Sequence, residues 1–289
     1  MKSFQNTLGK TGTPQTTLKK ELEFTGTGLH TGLKTTVELR PAKAGTGILF
    51  LTEKGPVRAT YKNAVDGTYA LTLADRGAKV QTCEHLLAAL YGAGVNNAVC
   101  ELFGSSEIPL LDGSSLLFSR ALAKAGVTEY KEKRRQLIFN EDFLVTELVS
   151  GTTRFLKAEP ADTLKIKYYV SYDHPAIGAL YREYTQKPGA FIKEISAART
   201  FGWAEQIKAQ KKLGLIKGGS LKNALLFGKK GVENKGGLRF KDEVVRHKIL
   251  DLIAAVALLP FEVKGCFTAF KSGHNIDIKM IKKIGGYYE

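Results

Sequence analysis

The chain has 289 residues, of which 43% are hydrophobic, and a formal net charge of +15. This composition is typical of a globular protein of about two domains and excludes a disordered chain. No apolar run reaches the roughly 18 residues that a membrane-spanning helix needs, and residues 1–20 lack the apolar core of a secretory signal. The three cysteines show no Cys-x-x-Cys spacing, which favours a reducing compartment. We therefore expect a soluble protein of the cytoplasm.

The positive charge predicts an anionic partner, which is a nucleic acid, an acidic membrane surface or a phosphorylated small substrate. The basic residues form short groups, as at 131–135 and 208–212. They are not interleaved with the aromatic residues on which single-stranded nucleic acid stacks. A solvated surface explains most of them, so we expect no nucleic-acid partner. A basic nucleic-acid-binding protein stays open as an alternative that depends on charge alone.

In the first half, apolar periodicity and turn residues predict alternating strands and helices. Thr82 is placed to cap a helix that Gly92 and Gly94 would end. In chain order we predict a strand at 35–40, a helix at 82–91, a strand at 97–103, a helix near 115–125 and a charged linker at 128–136.

The same kinds of element return in the second half, in a similar order. We predict strands at 137–148 and 163–171, helices at 192–202 and 203–213, a strand at 223–227, a long helix at 242–259 and a strand at 264–270. The predicted fold class is therefore α+β, with two similar domains at 17–130 and 137–289, each a sheet packed with helices.

The segment 246–251 places His247 and Asp251 four residues apart in an apolar, helix-forming run. Side chains at i and i+4 lie on one face of a helix, so both can converge on one point. Imidazole and carboxylate groups are good zinc ligands, and two ligands from one helix leave room for a third. The alternative for this pair alone is a surface ion pair.

A second cluster, Glu84-His85, follows Thr82-Cys83. Neighbouring residues on a helix diverge by about 100°, so these two can flank one ion only if the N-terminus of the helix points at it. His85 would then be a ligand, with Glu84 beside the water. His85, His247 and Asp251 together would leave one coordination position open, as in a hydrolytic zinc site. Two unrelated helix histidines remain the alternative.

Six segments share their order and spacing with a known family. They are 25–32 (TGTGLHTG), 82–90 (TCEHLLAAL), 107–114 (EIPLLDGS), 198–202 (ARTFG), 237–251 (GLRF through RHKILD) and 271–274 (KSGH). Over roughly residues 17–285 the chain resembles the zinc-dependent UDP-3-O-acyl-N-acetylglucosamine deacetylases of lipid A biosynthesis.

The resemblance implies a β-α-α-β sandwich with the active site between the two domains, the second of which carries an insert that binds the acyl chain. It implies zinc-dependent hydrolysis of the N-acetyl group of UDP-3-O-acyl-N-acetylglucosamine, which gives acetate and is the committed step of lipid A biosynthesis. One Zn²⁺ per chain is implied, with Fe²⁺ as the other candidate metal. We expect a monomer.

At the matching positions the resemblance also implies roles for individual residues. His85, His247 and Asp251 correspond to the metal ligands and Glu84 to the general base. The other catalytic positions are Thr200, which would hydrogen-bond the oxyanion, Lys248, which would face the diphosphate or developing negative charge, and His274, which would act as electrostatic stabiliser or general acid. Substrate contacts are implied for Phe201, Tyr172 and Lys271. Candidates for the acyl groove are Ile192, Ile195, Trp203, Leu213, Leu215 and Ile216.

One position departs from the family pattern. Family members usually carry an aspartate one turn beyond the last metal ligand, and this chain has Ala255 there. Loss of a nearby carboxylate removes an interaction that favours the imidazolium form, so we expect His274 to be less basic and less well oriented. The alternative function is a catalytically weakened homologue that still binds a sugar nucleotide. A metalloprotease is not expected, because the chain contains no His-Glu-x-x-His motif.

Overall fold

A computed structural model describes residues 8, 9 and 12–288. The first half contains strands β1 (Leu8–Gly9), β2 (Pro14–Leu18), β3 (Leu22–Thr27), β4 (Lys34–Pro41), β5 (Ile48–Thr52), β6 (Gly55–Arg58), β7 (Ala64–Asp66), β8 (Thr72–Asp75), β9 (Ala78–Val80), β10 (Ala98–Phe103) and β11 (Val127–Lys133). Its helices are α1 (Glu84–Gly92) and α2 (Leu116–Ala125), with a 3₁₀ turn at Tyr61–Asn63.

The second half contains strands β12 (Gln136–Ile138), β13 (Phe143–Val149), β14 (Thr152–Glu159), β15 (Lys165–Ser171), β16 (Ala179–Thr185), β17 (Phe201–Trp203), β18 (Leu225–Phe227), β19 (Glu262–Lys264) and β20 (Cys266–Phe270). Its helices are α3 (Ala190–Glu194), α4 (Ala204–Lys212), α5 (Glu243–Val256) and α6 (His274–Tyr288).

The two main sheets have the same topology. The first has the order β3-β4-β10-β5-β6 and the second the order β13-β14-β20-β15-β16. In each sheet the last strand in the chain lies in the centre, parallel to the third strand and antiparallel to the second. In the first half α1 precedes this central strand and α2 follows it; in the second half α5 is the last of three helices before the central strand, and α6 follows it. The chain therefore contains two α+β units of one design, as predicted.

Alternating burial along the strands places one face of each sheet against the helices. In β4 the side chains of Thr35, Val37 and Leu39 are buried and their neighbours are more exposed, as expected for a strand with one face on the core. Helix α2 packs on β3, while α5 and α6 pack on the second sheet.

Helices α1 and α5 pack against each other in the middle of the molecule. Both are apolar on almost every side: residues 86–90 and 249–256 are all buried, as expected for a helix enclosed by other elements. Helix α2 packs on α1, and α6 packs on α5. The layers therefore run sheet, helices, helices, sheet, and the paired helices α1 and α5 carry the predicted metal ligands.

Three predicted elements were wrong. The single strand predicted at 137–148 is two strands, β12 and β13, separated by residues 139–142. The predicted linker at 128–136 is largely β11, which pairs antiparallel with β2, and its polar residues conceal the strand because both faces are mostly exposed. The predicted helix at 192–202 ends at Glu194. Beyond it, Arg199 binds Glu243 through backbone and side chain, so a tertiary contact sets the local conformation. In the described part of the chain, no helix is both long and apolar enough to cross a bilayer.

Candidate active site

Glu84 and His85 are the first two residues of α1, and both are buried. The predicted cap was wrong: Cys83 stands at the N-cap without a side-chain hydrogen bond. Thr82, with φ +53°, instead donates its hydroxyl proton to Glu107 at 2.8 Å. The buried Glu107 also accepts hydrogen bonds from the backbone N–H groups of His30 and Thr31. Glu107 thus ties the loop at 28–32 to the start of α1.

His85, His247 and Asp251 form a buried cluster between α1 and α5. Their possible ligand atoms all lie within 4.8 Å of one another, and the two imidazole rings meet edge to face with centroids 5.3 Å apart. His247 Nε2 is 3.4 Å from Asp251 Oδ1. The i, i+4 spacing on α5 therefore does bring this pair to one point, and α1 adds the third group.

The donor set of this cluster fits a divalent cation. His247 Nδ1 lies 3.2 Å from the carbonyl oxygen of Ala198, so Nδ1–H can donate there while Nε2 keeps its lone pair for the cluster. Burial lowers the pKa of His85 to about 3 and also lowers the pKa of His247, so both imidazoles are neutral, as metal ligation requires. Asp251 Oδ1 is buried and has no hydrogen-bond partner among the described residues.

Lys248 holds Asp251 in its ionised form. The Lys248 ammonium is 2.7 Å from Asp251 Oδ2. Burial alone would raise the pKa of Asp251, but Lys248 and His247 bring it well below its usual range. Burial would likewise lower the pKa of Lys248, yet Asp251 and its other neighbours keep it well above the ordinary value. The pair therefore supplies a fixed carboxylate to the cluster and a fixed cation beside it.

Glu84 lies beside the cluster with one oxygen anchored and the other facing His274. Glu84 Oε2 accepts a hydrogen bond from the backbone N–H of Leu71 at 3.1 Å. Glu84 Oε1 lies 4.0 Å from His274 Nε2. Burial, reinforced by Asp251, raises the pKa of Glu84 to about 8. A carboxylate with a raised pKa is a suitable proton acceptor and donor near neutral pH.

His274 is the first residue of α6 and approaches the cluster from the opposite side. Its Nε2 is 3.9 Å from Asp251 Oδ2. Burial lowers the pKa of His274 to about 4, and Asp251 only partly opposes this shift. Gly67 packs closely on His274, since a Cβ atom at Gly67 would lie 2.7 Å from the Cβ of His274. A glycine at that position lets the histidine enter the site.

The predicted substrate residues are only partly gathered around the metal cluster. The Phe201 ring lies 6.0 Å from the rings of both His247 and Tyr172, and Tyr172 also packs on Trp203 at 5.3 Å. Thr200 is fixed through its backbone, with its N–H donating to Gly113 at 2.7 Å. Lys271 has φ +50° and places its ammonium 5.6 Å from the Phe270 ring centre.

A cavity of about 290 Å³ opens beside Thr200 and Phe201. Of the six apolar residues predicted for an acyl groove, only Ile216 lines it; Ile195 is in the core and Leu213 is 67% exposed. The other apolar lining residues come from several separate segments: Leu29, Tyr69, Ile207, Leu221, Ala224, Leu225 and Leu226. His30 also lines the cavity, and both of its ring nitrogens are buried without a partner among the described residues.

Three buried or half-buried contacts that support the site were not predicted from the sequence. Arg199 binds Glu243, the first residue of α5, through two side-chain hydrogen bonds at 2.8 and 3.1 Å. Arg239 pairs with Asp112 at 2.9 Å. Asp277, one turn beyond His274, accepts a hydrogen bond from Ser272 Oγ at 2.6 Å, and burial raises its pKa to about 7. Among these residues the sequence could have indicated only Asp277, through its i, i+3 spacing from His274.

The two α+β units and the buried His-His-Asp cluster at their central helices define a metal-dependent hydrolase. Residues 15–285 match the family described as UDP-3-O-acyl N-acetylglycosamine deacetylase. The chain belongs to this family.

Individual relatives cover nearly the whole chain. Proteins from three organisms that bear the name UDP-3-O-acyl-N-acetylglucosamine deacetylase are similar to this chain. The protein of Thermodesulfovibrio yellowstonii is 40% identical, over 95% of this chain and 94% of the relative. That of Geobacter sp. (strain M21) is 39% identical, over 93% and 88%, and that of Haemophilus influenzae is 36% identical, over 93% and 89%.

Proposed function

We propose that this chain hydrolyses the N-acetyl group of UDP-3-O-acyl-N-acetylglucosamine to UDP-3-O-acyl-glucosamine and acetate, a step of lipid A biosynthesis. The observation that carries the proposal is the buried cluster of His85, His247 and Asp251 with Glu84 beside it. Relatives that bear the name of this activity and match more than nine-tenths of the chain support the choice of substrate.

The metal is Zn²⁺, one ion per chain, held by His85, His247 and Asp251. Imidazole and carboxylate ligands suit zinc, although the same donors also accept Fe²⁺. When bound, the ion supplies a Lewis acid that polarises the amide carbonyl and brings the pKa of water towards neutrality. Metal analysis of the purified protein distinguishes the two ions.

Glu84 acts as the general base that removes a proton from the attacking water. Its anchored Oε2 fixes the orientation of the carboxylate, so Oε1 faces the space between α1 and α6. Burial makes this carboxylate more basic than usual, and a divalent cation held by the three ligands would favour its ionised form. General-base catalysis of this kind contributes about 10²–10⁴ to the rate.

His274, Lys248 and Thr200 stabilise the negative charge that develops on the amide oxygen or assist departure of the amine. His274 Nε2 lies 4.0 Å from Glu84 Oε1 and 3.9 Å from Asp251 Oδ2, so it can hand on to the leaving nitrogen the proton that Glu84 removes from the water. The ammonium of Lys248 stays charged beside Asp251. Fixed charges in a water-poor site stabilise developing charge without further reorganisation.

The acyl chain occupies the cavity beside Thr200 and Phe201, because that cavity is lined mainly by apolar side chains. Phe201 and Tyr172 offer aromatic faces to the sugar and nucleoside, and Lys271 contributes positive charge for the diphosphate. We further propose domains at 17–130 and 137–289, the second with the insert that lines this cavity, and a monomeric enzyme.

The direct test is release of acetate from UDP-3-O-acyl-N-acetylglucosamine by the purified, zinc-loaded protein. We expect turnover that a chelator abolishes and added zinc restores. The matched control is Lys279→Met, which removes an exposed ammonium remote from the cluster and should leave turnover unchanged. Tight binding of the substrate without acetate release would contradict the proposal and favour a sugar-nucleotide-binding homologue.

A further inference from the structure

A second cavity, of about 350 Å³, lies at the opposite ends of the helices that carry the metal cluster. The cluster uses the first turn of α1 and the middle of α5, whereas this cavity is lined by Leu90 and Tyr91 near the end of α1 and by residues 257–260 directly after α5. Segments 45–48 and 133–135 complete the walls. Both halves of the chain therefore contribute to it.

Four cationic side chains line this cavity and no carboxylate does. They are Arg58, Lys133, Arg134 and Arg135. None of them forms an ion pair with any residue in the part of the chain that the structure describes: Arg58 donates to the carbonyl oxygen of Thr46 at 2.7 Å, and the Arg135 guanidinium lies 5.4 Å from the ring centre of Phe261. Uncompensated cations that converge on a concave surface create a potential that attracts anions.

Arg134 is the most inward of these cations. It is half-buried, whereas Arg58, Lys133 and Arg135 are exposed. Arg134 and Tyr91 line the same cavity: burial raises the pKa of this phenol to about 12, the Arg134 charge opposes the rise, and Glu262, which lies outside the lining, adds to it. Arg134 is therefore placed where a buried anionic group would meet both a guanidinium and a phenolic O–H donor.

The inner wall of the cavity is apolar, and the C-terminal ends of α1 and α5 border it. Its side chains are Ile48, Leu87, Leu90, Val95, Leu258, Leu259 and Pro260. Three of the last four carbonyl groups of each helix accept a backbone hydrogen bond: those of Ala89, Leu90 and Tyr91 in α1, and those of Ile253, Ala255 and Val256 in α5. The helix ends thus offer few free acceptors that would repel an anion. Tyr91 is the only aromatic lining residue, so no pair of rings is available to hold a nucleobase.

We propose that this cavity binds a free single-chain anionic amphiphile, with its phosphate or carboxylate head at Arg134 and the flanking cations and its alkyl chain against the Leu87–Leu90 and Leu258–Leu259 wall. The site is separate from the metal cluster and from the cavity beside Phe201. Because the ligand would touch both halves of the chain, its binding should also raise the Tm of the protein.

The test uses dodecyl phosphate as the probe on the zinc-loaded full chain, measured by calorimetry together with hydrogen exchange. We expect one site per chain in this cavity, with added protection at 45–48, 91–97, 133–135 and 257–260. Arg134→Gln should weaken that binding about tenfold, the effect of losing one charge-assisted hydrogen bond. Arg120→Gln, which removes an exposed charge on α2, is the matched control and should bind as the unaltered protein does.

Two further binding measurements distinguish a free amphiphile from inorganic phosphate and from a membrane surface. Inorganic phosphate should bind at least tenfold more weakly, because it lacks the chain, and vesicles of anionic phospholipid should not compete with the monomeric amphiphile. Equal binding by the Arg134→Gln and Arg120→Gln proteins, or protection confined to 200–226, would overturn the proposal. So would attachment to the vesicles without any binding of dodecyl phosphate.

Discussion

The contact between Arg199 and Glu243 makes the sharpest stability prediction. Glu243 is fully buried at the start of α5, and Arg199 is its only side-chain counter-charge among the described ion pairs. Arg199→Met would remove both guanidinium hydrogen bonds to Glu243 and a third to the carbonyl oxygen of Gly237. It would leave a buried carboxylate without its counter-charge, which costs about 3–5 kcal/mol. Two backbone donors, the N–H groups of Arg199 and Arg239, remain on Glu243, so we expect the lower end, about 3 kcal/mol.

The measurement is thermal and urea unfolding of the metal-free protein, since bound metal adds its own stabilisation. A loss of about 3 kcal/mol corresponds to a fall in Tm of roughly 6–12 °C. The double variant Arg199→Met/Glu243→Met should recover part of the loss, because no charge is then left buried. Lys279→Met, which disrupts an exposed pair, should cost no more than about 1 kcal/mol. A loss below about 1 kcal/mol for Arg199→Met, or a double variant less stable than the single one, would refute the reasoning.

Three other predictions concern the site. Glu84→Gln keeps the size of the side chain but not its basicity, so kcat should fall about 10²–10⁴-fold with zinc content unchanged, and a loss of zinc would contradict the assignment. His247→Ala should lower bound zinc well below one ion per chain by metal analysis, whereas retention of stoichiometric zinc would exclude His247 as a ligand. Ala255→Asp introduces a carboxylate that favours imidazolium, so the pKa of His274, which burial lowers to about 4, should rise in an NMR titration of the imidazole; an unchanged pKa would show that residue 255 does not act on His274.

The sequence was sufficient for the parts of the site that depend on local spacing. An i, i+4 pair must share a helix face, so His247 and Asp251 converge once the apolar run around them forms α5. The run after His85 likewise predicts a buried helix that starts at the site. The repeated order of strands and helices predicted two units of one design, and the matching sheet orders confirm it.

Other features depend on contacts between distant segments, which local patterns do not contain. Glu107 looks like an ordinary acidic residue before Pro109, yet it is fully buried and accepts hydrogen bonds from segments 30–31 and 82. The cavity beside Phe201 is lined by residues from four or more separate parts of the chain. A prediction from apolar residues that lie close together in the sequence therefore identified few of its lining residues. The strand β11 is recognisable only through its pairing with β2.

Anomalous diffraction at the zinc edge from crystals of the zinc-loaded protein tests most directly whether His85, His247 and Asp251 bind the metal. We expect one peak per chain, at about 2.0–2.2 Å from a ring nitrogen of His85, a ring nitrogen of His247 and a carboxylate oxygen of Asp251. A peak bound elsewhere, or a zinc-free cluster in crystals of protein that releases acetate, would contradict it.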